Sequence, residues 1–124
     1  MFKTIKKIFG KFEFEIKNES TVKDVRDLFR VEFETEIIIY KLTSERKINT
    51  GRGSRVAEDH TRLTEVSNKN DIKGKIIVTK DMTVAEVENL FANNFGIGIQ
   101  VFERSGRKLA PNEMRLLDVK NIRL

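Results

Sequence analysis

Thr21-Val22-Lys23-Asp24-Val25-Arg26-Asp27-Leu28-Phe29 returns 62 residues later as Thr83-Val84-Ala85-Glu86-Val87-Glu88-Asn89-Leu90-Phe91. The correspondence runs on to Phe33 and Phe95, with six identities in the 13 pairs from 21/83 to 33/95. Average residue usage would give about one. A second block follows at an offset of 53, where the 14 residues from Arg55 to Asn68 match those from Lys108 to Asn121. The first copy therefore carries nine extra residues, placed around 43–52. Repeats of this kind take precedence over other sequence signals. They divide the chain into an N-terminal amphipathic segment (1–10), a first repeat (11–68) and a second (73–121).

Both copies read alike. Phe12, Phe14 and Ile16 alternate with Glu13, Glu15 and Lys17, the pattern of a half-buried strand, whereas its counterpart over 75–79 is apolar on both faces. Thr21 and Thr83 stand three residues before Asp24 and Glu86, the spacing of a capping box. Behind them Val22, Val25, Leu28, Phe29 and Phe33 make one helical stripe, repeated by Val84, Val87, Leu90, Phe91 and Phe95. The spacing thus predicts helices over 21–33 and 83–95. Strands rich in β-branched and aromatic residues follow over 36–42 and 97–103. Short extended pieces at 55–57 and 108–110 then lead into single helical turns at 62–66 and 115–119.

A strand–helix–strand order with short links calls for a crossover, so the two strands of each copy are expected to be parallel neighbours. A helix of about 13 residues cannot stabilise a unit of about 50 alone, so the copies should share one core. The fold class is α/β (α+β), helix on sheet, in two β-α-β-β repeats.

The run Ile99-Gln100-Val101-Phe102-Glu103-Arg104-Ser105-Gly106-Arg107-Lys108-Leu109, continued through Leu116-Leu117-Asp118-Val119, resembles the second half of a ubiquitin-like β-grasp domain. The first copy is similar, with 76–80 available as a closing strand. The resemblance implies a helix-on-sheet unit. The helix end at 91–96, followed by Ala110-Pro111-Asn112, also resembles small bacterial two-repeat proteins, a likeness that implies no particular activity. A modifier would end in Gly-Gly, whereas the sequence given ends Lys120-Asn121-Ile122-Arg123-Leu124.

The 124 residues include no cysteine and one histidine, which leaves no thiolate chemistry and little for acid–base relays or metal ligation. His60 sits in a turn and is expected in solvent. No catalytic, metal or cofactor site is expected, and Glu32, Glu34 and Glu36 read as a solvated charge run. The net charge is +5, but it is blocky: 12–36 hold eight acids against four bases, and 41–55 hold five bases against one acid.

Three features are candidates for binding. The inserted loop carries Arg46, Lys47, Arg52 and Arg55 around Gly51 and Gly53, a composition able to contact phosphate or nucleic acid. Lys3, Lys6 and Lys7 add charge at the start, on a segment whose apolar positions 2, 5, 8 and 9 have helical spacing. A helix docked on its own domain is the first reading there, ahead of a leading strand or a membrane-surface contact. Finally, parity along the strands turns Ile38, Tyr40, Ile77 and Phe102 away from the helices, an apolar interface patch that the N-terminal stripe could cover. The function expected is a non-enzymatic cytoplasmic protein-interaction or accessory module. Nucleic-acid binding is the alternative.

Overall fold

The structure is a computed structural model that describes residues 10–124 and the backbone strand at 5–8. The chain is mixed α and β, in the order β1 (Ile5–Ile8), β2 (Lys11–Ile16), α1 (Val22–Phe33), β3 (Glu36–Ile39), α2 (Leu63–Val66), β4 (Gly74–Thr79), α3 (Val84–Phe95), β5 (Ile99–Phe102) and α4 (Leu116–Val119).

Both long helices begin as their sequences direct. Thr21 accepts from the Asp24 N–H while the Asp24 carboxylate accepts from the Thr21 N–H, and Thr83 and Glu86 repeat the exchange. Such caps satisfy amide groups that the first helical turn leaves unbonded. Both helices end in a left-handed residue, Glu34 at φ 51° and Gly96 at φ 63°. Their buried stripes enter one apolar core together with Phe12, Phe14 and Ile16 of β2, Ile76 and Val78 of β4, Ile37 and Ile39 of β3, and Ile99 and Val101 of β5.

The strand pairing differs from expectation. The two strands that flank each long helix are not hydrogen-bonded parallel neighbours; β2 pairs antiparallel with β4, and β3 with β5. β2 lies between β1 and β4, and β3 pairs with β5 in a second sheet. The short links that suggested a crossover are satisfied instead by a helix that leads from one sheet to the other.

The registers are reciprocal. Phe14 faces Ile76 and Ile38 faces Gln100, pairs of residues 62 apart in the sequence. Around them Phe12↔Val78 is matched by Ile16↔Gly74, and Ile37↔Val101 by Ile39↔Ile99. The rings of Phe29 and Phe91, also 62 apart, meet at 6.1 Å between the helices. The links to the helical turns match as well: Val22 N–H donates to Thr61 O at 2.9 Å and Val84 N–H to Met114 O at 2.8 Å.

The N-terminal segment is also corrected. Ile5–Ile8 forms a strand antiparallel to β2, not a helix, and Gly10 at φ 77° turns the chain between them. The helical spacing of positions 2, 5, 8 and 9 counts residues on both sides of this strand, which runs only from Ile5 to Ile8. Lys3, Phe2, Phe9 and the side chains of Lys6 and Lys7 lie outside the described residues, so the basic and apolar roles expected of them do too.

Candidate interaction surface

β3 and β5 are each flanked by a short extended piece. Tyr40 bridges to Val56 and Phe102 to Leu109, and Ala57 and Ala110 donate to Ile39 O and Val101 O at 2.8 and 3.0 Å. The inner face of this sheet, Ile37, Ile39, Ile99 and Val101, is closed in the core. By strand parity its outer face carries Val56, Tyr40, Ile38, Glu36, Gln100, Phe102 and Leu109. Val56 is 56% exposed and Leu109 46%, with Ile38 and Phe102 half-buried between them.

Of the four residues expected to form one patch, the structure brings three together. Ile38, Tyr40 and Phe102 share this face. Ile77 points outward as parity requires, 51% exposed, but it belongs to β4 in the other sheet, opposite Glu13. One patch of four would need β3, β4 and β5 in a single sheet, whereas β4 lies with β1 and β2. Val56 and Leu109 join this face through one-residue bridges, which leave no periodicity in the sequence.

Among the described residues, the loop at 43–52 covers one end of this face. A Cβ built on Gly98 would come 2.7 Å from Ile48 Cγ2 and 3.0 Å from Thr50 Cγ2. Gly98 stands opposite Tyr40, whose N–H donates to Gly98 O at 3.0 Å, so the loop lies over that end of the sheet. There Tyr40 is buried and its hydroxyl donates to Gln100 Oε1 at 2.6 Å. Burial raises the Tyr40 pKa, and the nearby Glu88 carboxylate adds to the effect. Glu88 itself is shifted upward by burial, although it accepts from Val101 N–H at 3.0 Å.

At the opposite end the residue matching Gly98 is Glu36, and it is not the solvated acid its sequence suggested. It is almost wholly buried, held by Arg26 (Nη2–Oε1, 2.9 Å) and Arg30 (Nε–Oε2, 2.8 Å), and Arg26 also reaches Asp59 at 2.6 Å. Glu34 pairs with Lys120 and Arg104 at 3.5 and 3.7 Å. Helix flanks and a following strand thus gather charges that are scattered in the sequence.

The tight turn beyond β5 is built on another carboxylate. Glu103 is buried and accepts from the Ser105 hydroxyl at 2.7 Å and from the N–H groups of Ser105, Arg107 and Lys108 at 2.7, 2.6 and 2.9 Å. Those donors, the Ser105 hydroxyl foremost, hold its pKa down to about 2.

Among the described residues, Arg46, Lys47, Arg52 and Arg55 take part in no ion pair; Arg46 donates to Ser67 O at 3.0 Å. Lys41, Arg55 and Lys108 are exposed and share the strand parity of Ile39, Ala57 and Ala110, so alternation turns them away from the face that carries Tyr40, Val56 and Leu109. His60 stands in solvent 3.6 Å from Glu58. Among the described residues no group of three or more His, Asp or Glu is placed to hold a metal ion, and no helix is long and apolar enough to cross a membrane.

The chain matches no protein-family model, no curated protein and no solved structure.

Proposed function

We propose that the chain is a non-enzymatic protein-interaction module, made of a duplicated unit whose halves pack about a pseudo-two-fold axis. The reciprocal registers and the Phe29–Phe91 contact support the duplication. The recurrent order of strand, helix, strand, extended piece and helical turn supports the likeness to ubiquitin-like units. The docking surface is the outer face of the β3/β5 sheet.

The observation that carries this reading is the apolar row itself: Val56 and Leu109 stand about half in water, joined by Ile38 and Phe102, on a sheet whose other face fills the core. Each large apolar side chain fully buried by a partner contributes roughly 1.5–3 kcal/mol. The partner is therefore a protein that offers an apolar surface of its own to this face.

The test is a benzophenone crosslinker placed at Leu109 in cells. Val31, 76% exposed on α1, serves as the control position. A protein adduct formed from position 109, absent from position 31 and removed by Val56→Asp, is the expected result. Titration with duplex DNA and RNA at two salt concentrations tests the alternative, since phosphate contacts are strongest at low salt. No adduct, or low-salt nucleic-acid binding abolished by neutralising Arg46, Lys47, Arg52 and Arg55, would overturn the proposal.

A further inference from the structure

β2 has a strand on each side, but β4 has only β2: among the described residues no strand pairs with its other edge. Under the 62-residue correspondence, the edge of β4 is the counterpart of the edge of β2 that β1 fills. The strand direction at that filled edge is antiparallel.

Which backbone groups face the vacant side follows from the end of the strand. Thr79 donates its N–H to Met82 Sδ at 3.2 Å, and Thr79 O accepts from Met82 N–H at 3.2 Å, so Thr79 turns both groups away from β2. Alternate residues of a strand present their hydrogen-bonding groups on the same side. Lys75 and Ile77 therefore point an N–H and a C=O each at the open edge. Their side chains lie in solvent too, that of Ile77 on a face shared, among the described residues, with Lys75, Thr79, Lys11, Glu13 and Glu15.

Such an edge is self-complementary. With two chains antiparallel about Ile76, Lys75 of one copy exchanges both bonds with Ile77 of the second, and Ile77 with Lys75 of the second. All four open groups of each chain are then used and none already committed to Met82 is needed. The aliphatic stem of each Lys75 comes to lie beside the Ile77 of the other chain. The run 75–79 consists mostly of residues that favour strands, and exposed edges of that kind pair with others unless they are blocked.

We infer that two copies of the chain join along β4, antiparallel, to form a continuous sheet β1-β2-β4 across the pair. The surface is distinct from the β3/β5 face and does not depend on it. Sedimentation from about 1 μM to about 1 mM, the range of weak to moderate association, should show the mass doubling. Hydrogen exchange over the same range should show the Lys75 and Ile77 amides becoming protected with concentration. Ile77→Pro removes one edge donor without touching the β2 ladder, and should hold the chain monomeric. Val56→Asp should leave the doubling intact. A mass that stays single throughout overturns the inference. So does a dimer in which the two amides exchange equally fast at every concentration, a readout that stands even if the proline variant does not fold.

Discussion

Thr35 is closed in the core with its Oγ1 unbonded, while the residue 62 positions on is Ile97, equally buried. A buried hydroxyl without a partner costs about 1–3 kcal/mol relative to an apolar group of the same shape. Thr35→Val should therefore stabilise the fold by about 1 kcal/mol in urea titration, and a loss of stability would show that the hydroxyl is satisfied. The helix ends offer a paired test. Glu34 and Gly96 hold equivalent left-handed positions, which are unstrained only for glycine. Glu34→Gly should gain about 0.5–1 kcal/mol, less whatever its exposed ion pairs contribute. Gly96→Ala should lose more than that gain, because the new Cβ would collide with the Asn68 side chain as well as carry the strain. Equal and opposite effects at the two sites would mean that the contact with Asn68 relaxes freely.

Elements with local signals were legible in the sequence. Thr21 and Thr83 cap the helices that their spacing announces, and α2 and α4 fall inside the turns marked at 62–66 and 115–119. Features set by distant partners were not. Glu36 follows α1 by only three residues, yet its burial depends on two arginines of that helix turning toward it. Nothing in the sequence marks Glu103, whose role comes from four donor groups in the turn that follows. That turn carries a pH signature. A carboxylate held at about 2 in the fold and near 4.3 when unfolded contributes stability that is complete above the unfolded value. The contribution is lost as the pH falls through the folded value. Unfolding free energy should therefore drop between about pH 5 and pH 2, and Glu103→Gln should flatten the slope in that window. An unchanged slope would place the acid sensitivity elsewhere.

At the scale of the molecule, sequence similarity identified equivalent segments but not how they meet. Pairing β2 with β4 and β3 with β5 is non-local, and no residue pattern within one copy encodes it. Only the reciprocal registers reveal it. The same non-locality separated Ile77 from Ile38, Tyr40 and Phe102. Since Phe29 and Phe91 touch each other from matching places, Phe29→Leu and Phe91→Leu should destabilise by similar amounts, about 1–2 kcal/mol each. The double variant should depart from their sum by about 0.5 kcal/mol or more, as rings in contact do. Strict additivity in denaturant titrations would argue that the two rings do not communicate.

The link from the first helical turn to β4 has a further consequence. Asn68 and Lys73 correspond to Asn121 and Lys11, so the four residues between the former show what is needed to connect the latter. A circular permutant can then be drawn. It opens the chain between Asn70 and Asp71, omits residues 1–10 and 122–124, and joins Asn121 to Lys11 through a second copy of Lys69-Asn70-Asp71-Ile72. Its closure entropy is that of the native link, and no strand or helix is cut. Such a rearranged chain should unfold in one cooperative transition, with the far-ultraviolet dichroism of the parent less that of β1. Failure to fold would show that the two ends of the molecule are not interchangeable with its middle.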